Sequence, residues 1–378
     1  MRPTTTAAVI LGLCAVTEGA TKADNGFDTL TEWSVPFTDA NPFQIAMAGA
    51  NVVYLRDNPE QRLGLLEVDR ARFTEWPLPY LVTSPGDIKV RAGDGAVFVA
   101  GLSENEIGQF DLQTQSLRRW PLPLDIESGG PFSLGIDELG GVFFTAYNAS
   151  GALIGRLDTT SATVTTWQLP AAIGDATRVT VAPGGLVFFN DNAEPFSLAS
   201  LDVGTGAFTD WGLAAQPAFA IITDASGDVF FQEEENQAIA RLIPSTGQLT
   251  EWTVPGLPNE DIAMAADRVF MGGTSLTGSA TGMAALDPAE PGVDSLVTPF
   301  SAGTVLPASV AVTPTTATLT ARRARGQVST QLVRRRQLGA AFVAWSIPEQ
   351  PRMLATGTNG VFFGSMSQVQ PVIGRLTR

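Results

Sequence analysis

The chain has 378 residues, only 16% of them charged, with 38 Gly and 25 Pro, a composition that suits a turn-rich β fold better than a helical one. Lys and Arg number 23 against 38 Asp and Glu, and the net charge of −15 argues against non-specific nucleic-acid binding through a basic surface. Histidine is absent, which removes the commonest general base and the commonest transition-metal ligand.

The first 23 residues differ from the rest. Arg2 precedes an apolar run, AAVILGLCAV (7–16), and then the polar TEGATKA (17–23). A basic start, a short apolar core and small residues before a cut after Ala23 read as a secretory signal. The run is too short to span a bilayer as a helix. Residues 24–378 are therefore expected as one domain in the periplasm or outside the cell. The single cysteine, Cys14, lies inside this segment, and Leu13 stands where lipid anchoring wants a small residue, which disfavours a lipoprotein. No transmembrane candidate follows residue 23.

From residue 28 onward the chain repeats. Its seven tryptophans fall at 33, 76, 120, 167, 211, 252 and 345, so the intervals are 43, 44, 47, 44, 41 and 93 residues. The last interval is about twice the others, and LVTPF (296–300) near its midpoint resembles a tryptophan segment without the Trp. Each unit predicts four short strands: an apolar one such as FSLGID (132–137), a Val/Phe-rich one such as VFFT (142–145), a third such as LIGRLD (153–158), and a fourth that carries the Trp. Four strands in 40–45 residues make a propeller blade. One Trp per unit at constant phase reads as packing between blades.

The ends predict ring closure. DTLTEWSVP (28–36) is a lone fourth strand, and VIGRLTR (372–378) is a lone third strand. Their pairing would leave no free edge in the last blade. At about 44 residues per unit, Phe27–Arg378 predicts eight blades, with seven as the alternative. The unit in question is 301–345, which lacks the VFF motif and carries ARRARGQ (321–327) and LVRRRQ (332–337) instead.

The segments GGVFFTA (140–146), GDVFFQE (227–233), IGRLDTTSATVTTWQLP (154–170) and IARLIPSTGQLTEWTVP (239–255) resemble the blade motifs of the streptogramin lyases. The resemblance covers the chain after residue 23 except 301–339. It implies a propeller and, in that family, elimination that opens a cyclic depsipeptide with histidines, an acidic residue and Mg²⁺ on one propeller face. No histidine of this sequence can match that set. The position that carries over is Glu233, where the second-strand motif ends in Glu; other second strands end in Ala146, Asp191 or Ser365.

Acidic residues gather in loops between second and third strands (Asp57, Glu60, Glu104, Glu106, Asp191, Glu194, Glu233, Glu234, Glu235) and between fourth and first strands (Asp39, Asp125, Glu127, Asp175, Glu260, Asp261, Glu349). In an up-and-down blade both sets open on one face. Carboxylates there suit Mg²⁺ or Ca²⁺, or a cationic ligand, and equally a solvated rim. Glu233, Glu235 and Asp191 are the candidate ligand-binding residues, with Glu233 and Asp191 as metal ligands. Arg241 is the alternative counter-ion for Glu233. Asp87, Lys89 and Arg91 alternate along one strand and suit an inter-blade ion pair. Arg322, Arg323, Arg325, Arg334, Arg335 and Arg336 form a basic cluster that suits an anionic partner or a neighbouring acidic rim.

The expected function is that of an exported, non-catalytic scaffold that binds a small molecule or an envelope or extracellular protein. The alternative is a lyase or lactonase-like enzyme with a divalent metal at the channel mouth, and a third reading is a structural module of an envelope assembly. A monomer is expected.

Overall fold

The computed structural model describes residues 29–377 apart from 38–41, 57–60, 80–85, 102–104, 125–129, 192–196, 213–217, 234–237, 254–258, 266, 275–280, 359 and 366–370; within 290–350 it describes 311–313, 316–318, 328–332, 334–337 and 342–346. The signal segment 1–23 with Cys14, the LVTPF segment, Glu235 and Arg322, Arg323 and Arg325 lie outside the described residues.

The strands form seven radial blades, each an antiparallel sheet, and the first five run in sequence order. Blade 1 is Pro42–Ala48, Asn51–Arg56, Arg62–Glu67 and Arg72–Pro77. Blades 2, 3, 4 and 5 follow the same plan and begin at Ile88, Leu134, Val179 and Ala218. First strands of consecutive blades touch, and that of blade 7 (Pro351–Gly357) touches that of blade 1, so the ring is closed around an axial channel.

Closure follows the expected route. Thr29–Ser34 pairs antiparallel with Val372–Thr377, in register from Thr29 opposite Thr377 to Ser34 opposite Val372. It supplies the fourth strand of blade 7, with Leu30, Trp33 and Val35 buried.

The expectation of eight blades is corrected to seven. The third strand of blade 6 (Thr281–Leu286) pairs directly with Phe342–Ser346, which carries Trp345. Residues 287–341 are thus an excursion between two adjacent strands of one blade. Inside the excursion, Val328–Leu332 pairs with Thr29–Ser34 and Arg334–Gln337 pairs with Phe342–Ser346. These segments add a fifth, outermost strand to blades 7 and 6. The Arg-rich LVRRRQ run is therefore an edge of two blades and not the heart of another.

The repeated motif has a steric logic. Second strands are buried on both faces, which explains their unbroken Val and Phe. The Gly of the IGR segments lies opposite the second of the two aromatic residues, Gly155 opposite Phe144 and Gly374 opposite Phe363, and Gly64 of RLGLLE lies likewise opposite Tyr54. A Cβ on Gly155 would lie 2.1 Å from Phe144 Cζ, so the ring occupies the space a side chain would need. The following Arg caps the other aromatic, Arg156 over Phe143 and Arg375 over Phe362, and Arg241, which follows Ala240, lies likewise over Phe230. Replacing Gly155 with Val should cost about 1–3 kcal/mol through forced rotation of Phe144. A urea unfolding midpoint equal to that of wild type would refute this steric account.

Trp33, Trp76, Trp120, Trp167 and Trp211 pack into apolar clusters that each span two adjacent blades, as the repeat implied. Trp33 stacks on Phe362 and Trp167 on Phe143, while Trp76 and Trp211 tilt against Phe110 and Phe188. Trp33, Trp120 and Trp252 are buried.

Candidate functional site

The first strands line a central cavity of about 420 Å³. The residue just before the buried apolar residue of each first strand forms a ring: Gln44, Asp87, Ser133, Arg178, Ala220, Asp261 and Met353. Side chains alternate along a strand, so this ring leans toward the following blade.

Three ring members make the same contact. Asp87 Oδ2 accepts the N–H of Leu134 at 2.9 Å and the hydroxyl of Ser133 at 3.0 Å, both on the next blade. Ser133 Oγ accepts the N–H of Val179 at 3.3 Å, again on the next blade. Asp261 Oδ2 accepts the N–H of Leu354 at 2.8 Å, from blade 6 to blade 7. An innermost strand has an unpaired backbone edge, and an acceptor at this position satisfies a donor that would otherwise be buried without a partner.

The other oxygens of the two carboxylates are occupied as well. Asp87 Oδ1 accepts its neighbour Ile88 N–H at 2.8 Å and Lys89 Nζ at 3.0 Å. Asp261 Oδ1 accepts Ile262 N–H at 2.9 Å. Burial pushes the Asp87 carboxyl up, but the Lys89 charge, the Leu134 N–H and the Arg178 charge outweigh it and hold the group below the usual carboxylate range. For Asp261 burial dominates and lifts the carboxyl to about 6, against the pull of the Leu354 N–H, Lys89 and Arg178.

Arg178 does not make this contact, and neither do Ala220 and Met353, whose side chains carry no nitrogen or oxygen. A guanidinium has donors only, so it cannot accept the N–H of the next blade. It is half-buried and lines the cavity. Among the described residues its side chain makes no hydrogen bond or ion pair. Lys89, whose side chain is 43% exposed, lines the same cavity.

The expected inter-blade role of Asp87, Lys89 and Arg91 is divided. Asp87 ties blade 2 to blade 3, Lys89 pairs with Asp87 within its strand, and Arg91 reaches Gly140 O and Thr159 Oγ1 of blade 3 at 3.1 and 2.9 Å.

The candidate residues Asp191 and Glu233 end the second strands of blades 4 and 5, at equivalent repeat positions. Both are buried. Phe189 packs with Phe143 and Ile154 of blade 3, so Asp191, two residues on, faces the seam between blades 3 and 4; its Oδ1 accepts the Asp175 N–H at 3.1 Å. Phe231 packs with Phe188 of blade 4, which turns Glu233 into the seam between blades 4 and 5. The two carboxylates thus occupy neighbouring but separate seams. Arg241 is engaged with Asp228 at the opposite end of the strand, its Nε–H donating to Oδ2 at 2.8 Å, so the alternative that paired it with Glu233 is corrected. Among the described residues no group of three or more carboxylates is arranged to hold a metal ion.

The expected acidic rim is likewise less solvated than a loop reading suggests. Glu106 is buried against Arg119, with Nε to Oε1 at 2.6 Å, and Asp175 accepts from the Tyr147 hydroxyl and from Ala176 N–H. Arg178 is the residue that sequence reasoning missed. Its signal was present in the repeat: ATRVTV (176–181) aligns with GDIKV (86–90), which puts Arg178 in phase with Asp87.

No protein-family model matches the sequence, and no curated protein sequence matches it. Solved structures do. A catalytically inactive virginiamycin B lyase from Staphylococcus aureus, altered from histidine to alanine at one position and solved with quinupristin, is 16% identical, with a TM-score of 0.65 over 92% of this chain and 99% of that one. A streptogramin B lyase structure is 15% identical, with a TM-score of 0.64 over 93% of this chain and 98% of that one. These likenesses show that the chain has the β-propeller fold of the streptogramin lyases.

Proposed function

We propose that the protein is an exported, non-catalytic propeller that takes a small molecule into its axial channel. The observation that carries this reading is the cavity itself. Its volume of about 420 Å³ suits a small ligand, and its walls combine adaptable apolar side chains, Met47, Met264 and Met353, with a few convergent polar groups. The signal-like residues 1–23 support a place in the periplasm or outside the cell.

The non-catalytic part rests on what the channel groups are already doing. The Asp87 and Asp261 oxygens hold backbone donors, and the chain has no imidazole. A missing base removes a contribution of about 10²–10⁴ to proton abstraction. One observation favours the enzyme reading, a lyase or lactonase-like activity: the Asp261 carboxyl, raised to about 6, is tuned as a general base would be.

Two measurements separate these readings. The purified protein should not open the ring of virginiamycin B, and a thermal-shift screen of small molecules should find ligands whose effect disappears in Ala355→Trp, which narrows the channel. Efficient ring opening that is lost in Asp261→Asn would replace the binding reading with the enzymatic one.

A further inference from the structure

From Arg178 and Lys89 we infer that the channel ligand carries an oxyanion, a carboxylate or phosphate group, held by Arg178 in concert with Lys89; this rests on the channel-binding reading above.

The first support is a charge at a ring position where no tie between blades uses it. At the equivalent position Asp87, Ser133 and Asp261 each accept a backbone N–H of the following blade. Arg178 forgoes that tie. Ala220 and Met353 lack the tie as well but put no charge into the channel, so Arg178 is set apart by a guanidinium that ring closure does not use. The half-buried guanidinium makes no hydrogen bond of its own among the described residues, so its N–H groups are open to a ligand.

The second support is the open donor capacity of two cations inside a channel whose formal charges cancel. Asp87 and Asp261 have both oxygens occupied, mostly by backbone donors. Lys89 has donated to Asp87 alone, and Arg178 to nothing among the described residues. Both cations line the same cavity. Lys89 and Arg178 therefore keep N–H donors open to a ligand in this cavity. A planar fork matches the paired oxygens of a carboxylate or phosphate, and an ammonium beside it adds a second charge-assisted bond. The apolar wall of Met47, Met264 and Met353 would take the remainder of the ligand.

Calorimetric titration of the full chain with inorganic phosphate and with succinate tests this. At least one should bind, the pair distinguishing a phosphate-bearing from a carboxylate-bearing ligand. Arg178→Gln should weaken binding tenfold or more, and Arg178→Lys should not restore it fully, because an ammonium lacks the fork. Arg118→Gln, at an exposed Arg stacked on Trp120, should leave binding unchanged. Because Arg178 ties no blade, Arg178→Gln should keep the wild-type melting temperature, so lost binding cannot be ascribed to unfolding. Equal binding by wild type and Arg178→Gln would place the anion elsewhere and overturn the inference. Failure of both anions, while a neutral or cationic hit from the thermal-shift screen still depends on Ala355, would overturn the oxyanion alone. Failure of every ligand would remove the channel reading with it.

Discussion

Deleting residues 24–36 should leave no stable monomeric propeller. The strand Thr29–Ser34 is paired on both edges, with Val372–Thr377 inside and Val328–Leu332 outside. Leu30, Trp33 and Val35 are each at most 2% exposed. Burying each such side chain stabilises by about 1.5–3 kcal/mol, so their combined loss rivals the roughly 5–15 kcal/mol that holds a typical domain. Trp33 also stacks on Phe362, with Arg375 over it. The outer strand cannot step in. Val328–Leu332 and Val372–Thr377 both run antiparallel to Thr29–Ser34, so they are parallel to each other, and direct pairing would need a different hydrogen-bond pattern and register. The truncated chain would expose the edge of Val372–Thr377 and associate through it. Light scattering and a thermal melt should show aggregation and a lost cooperative transition, and a peptide of residues 24–36 added in trans should reverse both. An unchanged melt would mean that the ring does not depend on this closure.

That closure was legible because strand phase is written in the motif: TLTEWS at one end completes VIGRLT at the other. Blade number was not legible from spacing. An interval of 93 residues between Trp252 and Trp345 fits one extra blade of about 44 residues as well as it fits an insertion, because arithmetic on a single landmark does not see where an excursion begins. The Val/Phe second strands were the better landmark. There are seven of them, from VVYL at 52 to VFFG at 361, and this buried strand cannot be replaced by loop residues without opening the core.

The channel was harder to read than the ring. Asp261 follows a proline-containing loop and reads as one more rim acid, yet it lies inside the first strand Asn259–Ala265 and holds the next blade. Burial of a carboxylate depends on which backbone donor lies across a blade boundary, about 90 residues away in the case of Leu354, and local sequence carries no trace of that partner. Glu233 and Asp191 show the reverse. Their equivalent repeat positions were readable, while the alternation that turns each toward a different seam becomes visible once the packing of Phe231 and Phe189 is known.

Replacing Asp87 with Ala should be the most damaging single substitution in the channel. It would strip the acceptor from the N–H groups of Ile88 and Leu134 and from the hydroxyl of Ser133, and leave Lys89 without its counter-ion. Removing one partner of a buried charged network costs about 3–5 kcal/mol, because the remaining groups stay buried and unpaired. Asp87→Asn keeps one acceptor oxygen and should lose less, about 1–3 kcal/mol. Arg178→Gln, at the same position two blades on, should lose almost nothing, which separates a tie between blades from mere occupancy of the channel. The pH dependence carries a sign. The folded state holds the Asp87 carboxyl below its ordinary range, so its contribution is complete above that range and is lost as pH falls through the depressed value. Asp261 acts in the opposite sense: with its carboxyl raised to about 6, the folded state binds its proton more tightly than the unfolded chain, and stability declines as pH rises from the ordinary carboxylate range through 6. That second effect is common to wild type and Asp87→Ala, so it cancels in their difference. Urea unfolding of the two proteins should therefore show a gap that is constant from neutral pH down to the ordinary carboxylate range and narrows only below it. A gap that closes on approach to pH 6, or is absent throughout, would show that Asp87 does not hold blades 2 and 3 together as an ionised group.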